Sequence, residues 1–104
     1  MSIRIVWGCI NENGSKHSGR GFNSNKIGMG VYEVTYNKPF LSPPAVVLTQ
    51  NFKSWEDFGY GGGDGRDGCI LVASDQAKFK AITGRSDGMH DDRNFTFIAI
   101  GEKR

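Results

Sequence analysis

Six short segments, at 3–10, 28–36, 45–51, 68–74, 77–83 and 94–101, gather β-branched and aromatic residues, and each is fenced by Gly, Pro, Asn, Asp or Ser. That rhythm constrains the chain more than any other feature. Runs this short suit strands rather than helices, and turn residues between them favour antiparallel closure. Helix-compatible residues (Ala77, Lys78, Lys80, Ala81) occur around 76–82, but Asp75 and Gly84 bracket them at strand length. With 104 residues there is room for one core, so the expectation is a single domain over 1–104. Its fold class is all-β, a six-stranded antiparallel β-sandwich. The 15 glycines lack a period, which excludes collagen and suits tight turns.

Alternation assigns faces, because successive side chains along a strand point to opposite sides. Tyr32, Val34 and Tyr36 share a face opposite Glu33 and Thr35, and Phe79 and Ala81 oppose Lys78 and Lys80. These two strands have one wet face. Three others do not. Ile3, Ile5, Trp7 and Cys9 oppose Val6 and Ile10; Ala45 and Val47 oppose Val46 and Leu48; Phe95, Phe97 and Ala99 oppose Ile98 and Ile100. A sandwich buries one face per sheet, so apolar residues on the second face predict self-association. Val6, Leu48 and Ile98 are the expected contacts between copies.

If strand directions alternate, the three longest connections, 11–27, 52–67 and 84–93, share one end. Recognition concentrates on such loops. The 52–67 segment carries Trp55, Phe58 and Tyr60 among glycines, with Asp57, Asp64 and Arg66 interspersed; 85–94 adds His90, Asp92 and Arg93. Flat aromatic faces beside carboxylates and guanidinium groups suit a carbohydrate, with its apolar C–H patches and hydroxyls. The expected carbohydrate-binding residues are therefore Trp55, Asp57, Tyr60, Asp64, Arg66, His90, Asp92 and Arg93. The same aromatics would equally serve to pin a glycine-rich loop to the sheet.

Other classes find less support. A net charge of +2 with no basic stripe argues against nucleic acid. No segment reaches membrane-spanning length, and the start Met1-Ser2-Ile3-Arg4 lacks a signal peptide's apolar run. Cys9 and Cys69 read as two reduced core thiols rather than a bridge. Gly63-x-Gly65-x-x-Gly68 matches a dinucleotide fingerprint by letter, yet it leads into a strand instead of a helix. Residues 62–67 fit one copy of a calcium-binding repeat without the stacked neighbours that complete such sites. His17 and His90 have no ligand at metal spacing. No nucleophile and base are paired by position. No cofactor, no metal and no catalytic residue is expected.

The run Gly28-Met-Gly-Val-Tyr-Glu-Val-Thr-Tyr-Asn-Lys-Pro-Phe40, then Pro44-Ala-Val-Val-Leu-Thr49, and the ending Asn94-Phe-Thr-Phe-Ile-Ala-Ile-Gly101 belong together. With the glycine-rich opening over 3–22, they resemble the small terminal β domains of bacterial collagen-like and phage tail-fibre proteins. More distantly the chain is similar to the H-type lectins, although Phe97 stands where their closing strand usually carries Trp. The resemblance implies an H-type-lectin-like sandwich, a homotrimer, and an extracellular or virion-surface location. It implies glycan recognition through loops at one end, or alternatively a structural trimerisation tip with no glycan ligand.

Overall fold

The computed structural model describes residues 2–104, and among them the regular structure is entirely β. The strands are β1 (Ile3–Ile10), β2 (Lys16–Arg20), β3 (Phe22–Gly28), β4 (Val31–Tyr36), β5 (Ala45–Asn51), β6 (Gly68–Ser74), β7 (Lys78–Gly84) and β8 (Asn94–Glu102). They form two antiparallel four-stranded sheets, ordered β2-β1-β8-β5 and β3-β4-β7-β6. The fold is a β-sandwich of eight strands, not six. Two polar segments account for the difference. Lys16–Arg20 and Phe22–Gly28 contain few β-formers, yet each lies at a sheet edge and pairs along one side, with β1 and β4 respectively. Backbone pairing, not side-chain propensity, makes them strands.

Two glycines allow this arrangement. Gly21, at φ 92°, sits alone between β2 and β3 and carries the chain from the first sheet to the second. Gly30, at φ 63°, closes the β3–β4 turn, and a Cβ there would lie 2.6 Å from the Thr83 carbonyl oxygen. Residues 28–36, expected as one strand, are thus the end of β3, a turn and β4.

The core lies between the sheets. Val6, Ile10, Phe95, Phe97 and Ala99 project from the first, and Phe22, Tyr32, Val34, Tyr36, Phe79 and Ala81 from the second. Edge-to-face contacts fill the middle, with Phe97 5.0 Å from both Phe22 and Phe79 between ring centroids. The wet-face assignments of β4 and β7 hold, with Glu33 and Lys78 forming a 3.6 Å ion pair on the outside.

The self-association face needs correcting. Val6 is buried in the core, and Leu48 packs against it. The outward residues of the first sheet are Ile3, Ile5, Trp7, Val47, Ile98 and Ile100, all exposed. Register aligns them in rows across three strands, Ile5–Ile100–Ala45 and Trp7–Ile98–Val47. Of the expected trio, only Ile98 faces outward. Cys9 also belongs to this outward face rather than the core. Cys69, on the other sheet, packs against the core, and both thiols are free. Burial pushes the Cys69 thiol up to about 12.

Strand directions gather 11–15, the β3–β4 turn, 52–67 and 85–93 at one end. The expected common end for the long connections is therefore present, although most of 11–27 is β2 and β3 rather than loop. Gly21, 37–44 and 75–77 occupy the opposite end.

Candidate functional site

The loop end is knitted by polar side chains at strand termini. Gln50, near the end of β5, donates from Nε2 to the Gly68 and Gly84 carbonyls at 2.7 and 3.1 Å. It thereby joins the first sheet to β6 and β7 of the second. Its Oε1 accepts from Arg93 Nη1 at 3.0 Å. Arg93 also pairs with Asp67 at 3.4 Å and Asp91 at 3.2 Å, and its guanidinium lies over the Phe52 ring. Asn94 is buried; it donates to the Lys53 carbonyl at 2.9 Å and accepts from the Glu12 N–H at 2.8 Å. A buried polar group costs stability unless it is hydrogen-bonded, so this network fixes the bases of the 11–15, 52–67 and 85–93 segments together.

Above that network, the 52–67 and 85–93 segments enclose an open cleft of ≈ 350 Å³. Phe52 and Gly63 supply its apolar lining, and Asp64, Asp67, Arg85, Ser86, Asp87 and Arg93 its polar one. Two chain-local forks stand at this end. Arg66 donates from Nε and Nη2 to the Asp64 carboxylate, both at 3.1 Å. Arg85 donates likewise to Asp87, at 3.2 and 2.9 Å. These hydrogen bonds hold both carboxyls below the usual carboxylate range. Each fork keeps its partners oriented while leaving hydrogen-bonding capacity for a ligand. Arg85 is also a wall of a neighbouring, mostly apolar hollow of ≈ 230 Å³, floored by Ile70 and Ile82 and edged by Arg66 and His90.

The structure thus separates the residues singled out in the sequence. Asp64 and Arg93 line the cleft, with Arg93 buried as its anchor. Arg66 and His90 belong to the adjoining hollow. Tyr60 lies outside the lining and tilts against Phe52 at 6.0 Å between centroids. Asp57 is exposed and accepts from the Gly59 N–H, shaping its own turn. Asp92 points elsewhere, bonding the Gly30 N–H and the Lys26 ammonium. Trp55 stacks on His17, 4.6 Å between centroids and 12° from parallel, and its indole N–H donates to Asn11 Oδ1 at 2.9 Å. It clamps the loop to the β1–β2 hairpin, through the turn residue Asn11 and His17 of β2, and it does not line the cleft.

Phe52, Asp67, Arg85 and Asp87 line the cleft without being among the binding residues expected from the sequence. The Arg85-Ser-Asp87 and Asp64-Gly-Arg66 spacings, which place opposite charges two residues apart in loops, were the available signal. Comparison of the chain with protein-family models, characterised proteins and solved structures finds no match.

Proposed function

We propose that this domain is a non-enzymatic carbohydrate-binding module, displayed as a homotrimer on an extracellular or virion surface. One observation carries the ligand reading: the cleft between 52–67 and 85–93, where an aromatic ring adjoins carboxylates and guanidinium groups already held in place. Sugars are recognised by such pairings of apolar surface with fixed hydrogen-bonding groups. Asp64, Arg85, Asp87 and Phe52 are the proposed contacts, with Arg93 and Asp67 supporting them from below. Arg66 and His90, in the adjoining hollow, extend the site for a second sugar residue. The eight-stranded sandwich with its loops at one end is compatible with the H-type-lectin-like reading.

The apolar outer face of the first sheet supports the oligomer. An open cleft binds a single sugar weakly, and threefold display raises avidity by ~100-fold where the spacing fits. The test is a glycan array probed with the intact oligomer, followed by Arg85→Ala and Asp87→Ala. Selective retention that both variants abolish is expected. A blank array, or retention unchanged in both variants, overturns the reading.

A second reading, a structural trimerisation tip of a fibre or collagen-like protein, is favoured by one observation. Trp55, the largest loop aromatic, is engaged within the domain by His17 and Asn11. A blank array together with a stable trimer selects it.

A further inference from the structure

The charge of +2 conceals a segregation. At the loop end, Lys26, Arg66, Arg85 and Arg93 each have a carboxylate partner, while Lys53 stands without one among the described residues. At the opposite end, the start of β1, the 37–44 segment and the residues after β8 bring Arg4, Lys38, Lys103 and Arg104 around one cleft of ≈ 380 Å³, completed by Ile3 and Pro39. Among the described residues, none of these four cations forms an ion pair. Glu102, the nearest carboxylate in the strand register, lies opposite Ile3 and accepts only a 3.5 Å hydrogen bond from Ser42.

Arg4 is held in place. Its Nη1 donates to the Lys38 carbonyl, and its guanidinium stands 4.7 Å from the Phe40 ring centroid. Phe40 is fully buried, so the platform beneath the guanidinium is rigid. A fixed guanidinium among flexible ammonium groups is the arrangement that binds tetrahedral oxyanions, with the Arg directing and the Lys residues adding point charge. Like charges crowded without counter-charges repel one another, and an anion relieves that repulsion.

We infer that this cleft binds a phosphate- or sulfate-type oxyanion of a multiply charged ligand, independently of the loop end. Two features set the ligand class. Four unpaired cations exceed what one carboxylate neutralises, and the cleft is wider than a single oxyanion needs.

The test is a titration of the isotope-labelled protein, followed by amide chemical shifts, with sodium pyrophosphate and sodium sulfate in separate arms. Sodium chloride at matched ionic strength is the control. Saturable shifts at Arg4, Lys38 and Lys103, absent with chloride, are expected. Lys38→Gln with Lys103→Gln weakens the affinity about tenfold or more, while the Lys→Arg pair retains it. Both positions are exposed, and unchanged shifts of the core amides verify the fold. Tighter saturation by pyrophosphate assigns the site to phosphoryl groups, and tighter saturation by sulfate to sulfate esters. Shifts that follow ionic strength alone, that centre on Arg66 and Arg85, or that survive the double Gln variant overturn the inference.

Discussion

The guanidinium carbon of Arg93 stands 4.6 Å from the centroid of the Phe52 ring. This contact couples the first residue after β5 to the last residue before β8. Both strands belong to the first sheet, yet the same guanidinium also reaches Asp67, immediately before β6 of the second. One side chain therefore sets the height of both long connections above the core.

Removing it should be costly. The Arg93 and Asp67 side chains are each only 10% exposed. Arg93→Ala leaves that carboxylate with little solvent and no cation, for an expected loss of about 3–5 kcal/mol. Arg93→Lys recovers part of it, because an ammonium cannot reproduce the planar fork or the stacking. Urea unfolding measures both. A loss under about 1 kcal/mol in the Ala variant would mean that solvent replaces the network.

Acid should loosen the β3–β4 turn through Asp92. Burial works to raise its carboxyl, but hydrogen bonds from the Lys26 ammonium and the Gly30 N–H outweigh it, and the net shift is below the ordinary 3.8. A carboxyl depressed by folding stabilises fully above its unfolded value, and that stabilisation is lost as pH falls through the folded one. Wild type should therefore exceed Asp92→Asn in stability at pH 6, with the gap closing below 3.8. Urea midpoints across that range check it. A gap independent of pH would assign the effect to something other than ionisation.

Association should depend on the outer rows of the first sheet. Trp7 is half exposed in the lone protomer, and Trp7→Glu or Ile98→Lys places a charge in the middle of the apolar rows. Sedimentation at micromolar concentration should show the assembly reduced to protomers, with far-UV circular dichroism unchanged. Wild type sedimenting as a lone protomer would refute the proposed trimer.

Two buried tyrosines should respond oppositely to loss of a hydroxyl, although burial raises both phenols to about 12. Tyr32 donates to the Glu12 carbonyl at 2.7 Å, whereas the Tyr36 hydroxyl has no partner among the described residues. Tyr32→Phe should destabilise, and Tyr36→Phe should be neutral or stabilising, each by ~1 kcal/mol. Thermal melts distinguish them, and equal losses in both would place an unseen partner on Tyr36.

Strands rich in β-branched and other apolar residues were legible in the sequence. Segments 3–10, 45–51 and 68–74 coincide with β1, β5 and β6, because runs of aliphatic, largely β-branched residues mark them directly, even though β5 and β6 contain no fully buried residue. Lys16–Arg20 and Phe22–Gly28 left no such mark, since mostly polar residues and glycine fill them and pairing with one neighbour's backbone is what holds them in the sheet. Facing was legible for β4 and β7, where charge labels the wet side. In β1 and β8 both sides are apolar, so alternation supplied two sets without saying which met the other sheet. The loop end followed from strand directions, but the partners of Trp55, Asp92 and Arg93 lie 44, 66 and 43 residues away along the chain and required the fold itself.

The Lys103 amide donates to the Ser2 carbonyl at 2.8 Å, so the first and last strands are flush where they meet, far from the 52–67 segment. A short Gly-Ser bridge across that junction, with a new opening at Gly61 where nothing crowds the backbone, gives a circular permutant that preserves every ladder. Whatever is fused or immobilised at the original junction leaves the loops facing away from the attachment point, an orientation suited to sensors and affinity supports.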